Sequence, residues 1–342
     1  MYRYNLPRVP PRQQPFWGGS ALTKQATEAQ WANLRAKEAD LLATVPTPIT
    51  AHDIVIAGEH IHYLEAGDPK LPTLVMVHGR GSAAALWYPI LPQLAPHRHI
   101  IAVDMRGWGL SSRAPFTGHG GPAAIAWWRD GVLGVVDALG IDRFDLIGHS
   151  LGGMVVLGIA LARQAHIDHF LLEDTAGLAV TSPLFIRLYF AIEPERLARL
   201  APRALFNRVS RSSTPIPGQS PAAQKALSDF VYALTTFPGT SASGAHAFNQ
   251  IVGPGGVRYT LRDQVHSITT LTRVFWGTKD SVVPLATAEA GIKMLPHAEL
   301  VTFAGLNHSP HMEQPDAFAR SALGFLARGT ETPVSLGIIE GT

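Results

Sequence analysis

The chain has 342 residues, 46% of them hydrophobic and only 16% charged, a balance that excludes a disordered chain and supplies a large core. Its 28 basic and 26 acidic residues leave a formal charge of +2, too small to point to nucleic acid as a partner. The absence of cysteine excludes disulfides, cysteine nucleophiles and cysteine-ligated zinc or iron–sulfur centres.

From the N-terminus, Met1 to Trp17 is rich in Arg and Pro and carries no apolar run, so it does not read as a secretory signal. Pro7, Pro10, Pro11 and Pro15 forbid regular helix. Leu34, Leu41 and Leu42 on one side of residues 21–45 predict a helix, so residues 1–48 read as an arm and a helix ahead of the main domain. Short apolar runs then alternate with helical patterns. Ile54–Ile56 and Ile61–Leu64 predict a hairpin turned at Gly58. Thr73–His78, His99–Asp104, Phe144–His149, Phe170–Glu173, Thr272–Trp276 and Glu299–Phe303 predict six further strands, eight in all. Their middles are apolar without strict alternation, the pattern of strands buried on both faces. Ala83–Leu94, Pro122–Leu139, Leu151–Arg163, Pro284–Met294 and Pro315–Leu326 predict the intervening helices. This βα alternation implies an α/β fold with a mostly parallel sheet flanked by helices. Residues 177–264 hold no convincing strand and read as a helical insertion, or cap. The core is then residues 49–176 and 265–328, and residues 329–342 read as a flexible tail. No stretch matches the ~20 apolar residues of a membrane span, and a cytoplasmic location is the expectation.

The strongest chemical signal is Gly148-His149-Ser150-Leu151-Gly152-Gly153, which closes a predicted strand and opens an apolar helix. That is the context of a G-x-S-x-G nucleophile elbow. Glycine at 148 and 152 removes side chains that would collide in the turn, and the turn lifts Ser150 above the carboxyl edge of the sheet. It also aims the Leu151 N–H at a developing oxyanion. A serine nucleophile needs a base, and the base needs an orienting acid. The elbow expects them in the chain order Ser, acid, His. Asp280 follows the strand Thr272–Trp276, and His308 follows the strand Glu299–Phe303. Asp174, at the end of the preceding strand, is the alternative acid, and His311 the rival base. In His78-Gly79-Arg80-Gly81 the Arg80 N–H is the candidate second oxyanion donor, His78 reads as structural, and Asp104 reads as a turn residue.

These motifs resemble the α/β-hydrolase superfamily over about residues 50–328, with the insertion as its cap. The matching set is His78-Gly79, Asp104-x-Arg106-Gly107-x-Gly109-x-Ser111, Gly148-x-Ser150-x-Gly152, Gly277-x-x-Asp280 and His308. The resemblance implies an eight-stranded sheet and a serine hydrolase without a cofactor. Ser150 excludes the dehalogenase and epoxide hydrolase chemistry of relatives that carry aspartate there. A narrower likeness links Leu34-Arg35 with Glu38, Trp127-Trp128-Arg129 and Ile167-Asp168-His169-Phe170 to the subgroup of N-acyl phospholipid lipases and lipase coactivators. That subgroup often shows H-x-x-x-x-D, a proposed acyltransferase mark; this chain has Glu313 instead, which argues for hydrolysis. Glu313 itself reads as a favourable charge at the start of the last helix.

His60 and His62 share a strand face, and His308 and His311 stand three apart, but no third ligand at a suggestive spacing accompanies them, so no metal is expected. No phosphate loop appears, and Gly253-Pro254-Gly255-Gly256 reads as a turn. From Gly177 to Arg211, Arg187, Arg196, Arg199, Arg203, Arg208 and Arg211 face only Glu193 and Glu195. Beside apolar residues such as Phe185 and Leu188, they suggest either a solvated surface or a lid that touches anionic lipid. The sequence thus predicts an esterase or lipase acting on a small-molecule ester or lipid-like substrate. A C–C bond hydrolase, an acyltransferase and an idle binding protein or coactivator are the alternatives.

Overall fold

The computed structural model describes residues 26–191, 216–329 and 338–340. Its main sheet has nine strands in the order β1-β2-β4-β3-β5-β6-β9-β10-β11. These are β1 (Ile49–Ile56), β2 (Glu59–Ala66), β3 (Thr73–Val77), β4 (His99–Val103), β5 (Phe144–His149), β6 (Ile167–Glu173), β9 (Thr272–Gly277), β10 (Ala298–Phe303) and β11 (Ile338–Glu340). Only β2 runs against the rest, pairing antiparallel with β1 and β4. All eight expected strands are present. The ninth comes from the segment read as a tail, where Ile338–Glu340 pairs parallel with Leu300–Thr302 of β10.

The unbroken apolar runs have a simple cause: each strand feeds two cores. Val75 and Val77 of β3, Leu146 of β5, and Val274 and Trp276 of β9 face one core. Their neighbours Leu74, Met76, Ile147 and Phe275 face the other. Alternation by two puts successive side chains on opposite faces, so a sheet covered on both sides shows no polar alternation. Helices α3 (Gly120–Ala138) and α4 (Leu151–Arg163) cover the first face. The second is covered by α1 (Glu28–Leu42), by α10 (Pro315–Leu326) and by the segment predicted as one helix at Ala83–Leu94. That segment is instead a 3₁₀ turn at Ala84–Trp87 and a short α2 (Leu91–Leu94). Pro89 and Pro92 remove the donors that a continuous helix would need.

Between β6 and β9, where the sequence predicts a cap, the described elements are α5 (Leu184–Ala191), α6 (Pro221–Thr235), a 3₁₀ turn at Thr240–Ala242, α7 (Gly244–Phe248), the small hairpin β7 (Val252–Gly253)–β8 (Gly256–Val257) and a 3₁₀ turn at Arg262–Ser267. The hairpin turns where Gly253-Pro254-Gly255-Gly256 predicts a turn, and adds two short strands to a segment read as helical. Of the six arginines from Gly177 to Arg211 only Arg187 is described; Arg196, Arg199, Arg203, Arg208 and Arg211 lie outside the described residues. After β9 come α8 (Leu285–Ile292), β10 and a four-residue α9 (Pro310–Glu313). No helix among the described residues is long and apolar enough to cross a membrane.

The pre-core helix α1 is joined to the sheet by a buried ionic cluster. His62 on β2 donates Nε2–H to Glu38 of α1 at 3.1 Å and Nδ1–H to Asp53 of β1 at 2.8 Å. His60, the other histidine on that face, reaches the same Asp53 oxygen at 3.1 Å, and Arg35 reaches its second oxygen at 2.9 Å. Burial alone would push His62 down, but Glu38 and Asp53, helped by Asp104, hold it up at about 10. Burial likewise raises Asp53, yet His60 and His62 outweigh it and leave that carboxyl well below its usual range. The raised histidine stabilises the fold fully below its unfolded pKa of ~6.5, and this contribution fades as pH rises towards 10. The lowered aspartate contributes above its ordinary pKa, and its contribution fades as pH falls. Glu38→Gln leaves a buried cation with one partner fewer, so a loss of about 3–5 kcal/mol is expected. In thermal melts, wild type is expected to lose melting temperature between pH 7 and pH 10, and Glu38→Gln to start lower and lose less. Parallel curves for the two proteins would contradict the cluster's role.

Candidate active site

The carboxyl ends of β3, β5, β6, β9 and β10 bring the predicted residues together. Ser150 sits between β5 and α4 with φ 53° and ψ −118°, a strained conformation for a residue with a side chain. Three backbone bonds hold it there: its N–H donates to Glu173 O at 2.9 Å, and its carbonyl accepts from Ala176 at 2.9 Å and Met154 at 3.3 Å. The flanking glycines are required by contact. A Cβ at Gly148 would lie 2.5 Å from Gly152 O, and one at Gly152 would lie 2.3 Å from Val77 O. Both obstacles are backbone, which has no rotamer to yield.

His308 Nδ1–H donates to Asp280 Oδ2 at 2.8 Å, and Ser150 Oγ–H donates to His308 Nε2 at 2.9 Å. Asp280 accepts on its other oxygen from the N–H groups of Val282 at 2.7 Å and Val283 at 2.9 Å. The carboxylate is thereby fixed in orientation and selects the histidine tautomer whose free nitrogen faces Ser150. Such a chain can remove a proton from the serine and stabilise the resulting imidazolium.

The rivals take other places. His311, in α9, donates Nδ1–H to Glu173 Oε1 at 2.8 Å, and its backbone N–H goes to the same oxygen at 2.9 Å. Burial would raise Glu173, but His311 outweighs it and holds the carboxyl below its usual range. Asp174 is fully buried behind the chain; its Oδ1 accepts from Gly277 N–H at 3.0 Å. His78 donates Nδ1–H to Gly79 O at 2.7 Å and accepts from Met105 N–H at 3.0 Å on Nε2, which fixes the loop that carries Arg80. Burial lowers it to about 4, so it is neutral. Asp104 accepts the N–H groups of Ala84 and Leu110, each at 2.6 Å, and so holds the turn.

Two residues near His308 were not assigned their observed parts from sequence. His149, read only as part of the elbow, donates Nε2–H to the carbonyl of His308 at 2.6 Å. Burial, with His308 and His311 nearby, holds it neutral at about 3. Glu313 ends α9 rather than opening the last helix. Its carboxylate accepts from the N–H groups on both sides of His308, Asn307 at 3.0 Å and Ser309 at 3.2 Å. Its spacing, five residues past the histidine, was visible; its fold back onto the loop was not.

Ser150 opens into a cleft. Leu151 and Arg80 line it beside the serine, and Ile186, Phe248, Ile251, Tyr259 and Val283 make its walls largely apolar. The Arg80 guanidinium stacks over the Phe248 ring at 5.0 Å.

Sheet order, elbow and site define the class, and the chain belongs to the α/β-hydrolase family, whose model matches residues 72–315. It is 27% identical over 305 residues to the 2-hydroxymuconate semialdehyde hydrolase of Pseudomonas sp. (strain CF600), covering 84% of this chain and 98% of that protein. A 108-residue stretch, 32% of this chain and 26% of the relative, is 38% identical to a 1-acylglycerol-3-phosphate O-acyltransferase of Arabidopsis thaliana. The fold is similar to that of a bacterial membrane phospholipase A, with a TM-score of 0.67 and 23% identity over 87% of this chain and 90% of that one.

Proposed function

We propose that this protein is a serine hydrolase that cleaves carboxylic esters through an acyl-serine. The observation that carries the proposal is the chain Asp280–His308–Ser150 ending at the floor of an apolar cleft. Ser150 Oγ attacks the ester carbonyl as its proton passes to His308 Nε2, and Asp280 stabilises the imidazolium. The N–H groups of Leu151 and Arg80 hold the oxyanion. His308 then gives the proton to the departing alcohol. Water enters, gives a proton to His308, and releases the acid while Ser150 recovers its own. Every step uses only protein groups and water.

The apolar walls favour an apolar acyl group. A panel of p-nitrophenyl esters of graded chain length should show kcat/KM rising over the first several carbons, each buried methylene contributing ~0.8 kcal/mol. A rate that falls steadily from acetate would remove the acyl-chain reading. Hydrolysis rather than acyl transfer is favoured, because the Glu313 carboxylate is occupied by the Asn307 and Ser309 amides and so holds the loop of His308.

A second reading, C–C bond hydrolysis by the same residues, is supported by the 27% identity to the semialdehyde hydrolase over 84% of this chain. A higher kcat/KM for a vinylogous 1,5-diketone acid than for any ester would make it the first. Fluorophosphonate labelling of Ser150 separates either enzyme from an idle binding protein.

Contact of the cap with a lipid surface is also proposed. Val180, Leu184, Phe185, Leu188 and Tyr189 are about half exposed on and before α5, while Ile186 of the same helix lines the cleft. A helix apolar on both sides at the mouth of an apolar cleft is suited to an interface. Anionic vesicles are expected to raise ester turnover several-fold, and Leu184→Ser with Leu188→Ser to remove the rise. An equal rise in the double variant would assign the effect elsewhere.

A further inference from the structure

Asp174 follows β6 with a φ of +42°, in the left-handed region that residues with side chains seldom occupy. Strand β9 holds it at both ends: its N–H donates to Phe275 O at 3.0 Å, and its Oδ1 accepts from Gly277 N–H at 3.0 Å. Its other oxygen, Oδ2, is buried and meets no donor. What faces the carboxyl is another carboxyl. Side-chain oxygens of Asp174 and Asp280 and a ring nitrogen of His308 all lie within 4.8 Å of one another.

Two buried carboxylates this close repel, and a proton between them turns the repulsion into a hydrogen bond. Among the described residues, the main influences on the Asp174 carboxyl include no cation that would offset a second charge. Glu173, the next residue back, is itself acidic and is bound to His311. His149 is neutral, and His308 already serves Asp280. Asp280 spends its oxygens on Val282, Val283 and His308, an arrangement that suits the charged member of the pair.

We propose that Asp174 is a protonated positioning residue whose carboxyl O–H donates to Asp280, so that the two carboxyls carry one negative charge and Asp280 stays aimed at His308. The inference rests on the reading of Asp280 as the acid that orients the base. The electrostatics agree: burial first, then the charges of Asp280 and Glu173, push the Asp174 carboxyl well above its usual range, and the Gly277 N–H offsets only part of this. A neutral acid here adds a hydrogen bond to the charged partner without adding a second charge beside the imidazolium.

The test compares wild type, Asp174→Asn and Asp174→Ala in ester kinetics and infrared spectra. Asparagine is neutral and can still donate; alanine can do neither. Losing a hydrogen bond to a charged group costs about 10–100-fold in kcat, so Asp174→Ala is expected to fall by that much with KM little changed. Asp174→Asn should recover at least a third of the wild-type rate. The acid limb of its kcat/KM profile should stay within about 0.3 pH units of wild type, because no charge has been removed. The wild-type minus Asp174→Asn infrared difference at pH 7 should contain a protonated-carboxyl C=O band, a readout independent of turnover and of whether the alanine variant folds. The proposal falls if that band is absent, or if the acid limb moves down by half a unit or more in Asp174→Asn. It also falls if asparagine is as damaging as alanine. Presence of the band with Asp280→Asn as active as wild type would instead overturn the role of Asp280 and leave the proton on Asp174.

Discussion

Ser150→Ala is expected to reduce ester turnover to near background, a loss on the order of 10⁶ in kcat if the residues act as a unit, as in comparable serine hydrolases. The melting temperature should be at or slightly above that of wild type. Ser150 is held at φ 53° by backbone bonds to Glu173, Ala176 and Met154, and none of them involves its hydroxyl. Removing Oγ therefore leaves the elbow standing and frees only His308 Nε2, on a side chain that is 18% exposed. The variant should also lose fluorophosphonate labelling. More than a tenth of wild-type turnover with normal melting would place the nucleophile elsewhere.

The second large effect belongs to the acid. Asp280→Asn keeps the shape and the acceptor for Val282 and Val283, but can present an NH₂ group to His308 Nδ1. The ring then favours the tautomer with its proton on Nε2, which cannot accept from Ser150. A loss of ~10⁴ in kcat is expected on this ground. Asp174→Asn should cost at least a hundredfold less, since Asp174 contacts β9 and the Asp280 carboxyl rather than Ser150. The reverse ranking would assign the orienting role to the carboxyl after β6. Both carboxyls are buried near His308, but of the two only Asp280 accepts from His308 Nδ1.

The parts of this arrangement that were legible in the sequence share one property: they are dictated locally. Glycines at 148 and 152 are visible because a tight turn forbids side chains whatever surrounds it, and the structure shows the forbidding atoms to be backbone of the same turn and of β3. The strands were visible because Val75, Leu146 and Val274 serve one core while their neighbours serve the other. Asp280 and His308 were legible through chain order, which a fixed strand sequence imposes. What stayed hidden depends on contacts between distant segments. Glu38 meets His62 across 24 positions, and His149 meets the carbonyl of His308 across 159. Ile338–Glu340 becomes a strand only because the edge of β10 is free to pair with it. Glu313 is the intermediate case. Its distance from His308 along the chain is short, but Pro310 starts a single turn that folds the carboxylate back onto the amides flanking the histidine.

These contacts place the histidine more firmly than a loop position would suggest. His149 holds the carbonyl of His308, Glu313 holds the amides on either side, and Asp280 holds the ring. On the proposed reading, a base held in this way has little freedom to lose when substrate arrives, which is how a fixed scaffold lowers the entropic cost of reaction.

The acyl-serine itself is the most direct object of measurement. A p-nitrophenyl ester mixed rapidly with excess enzyme, quenched in acid and digested, should yield the peptide containing Ser150 heavier by one acyl group, together with a stoichiometric burst of p-nitrophenol. The adduct should be absent from Ser150→Ala and should persist longer in Asp280→Asn. Turnover without any acyl adduct, or an adduct on a residue other than Ser150, would contradict the account.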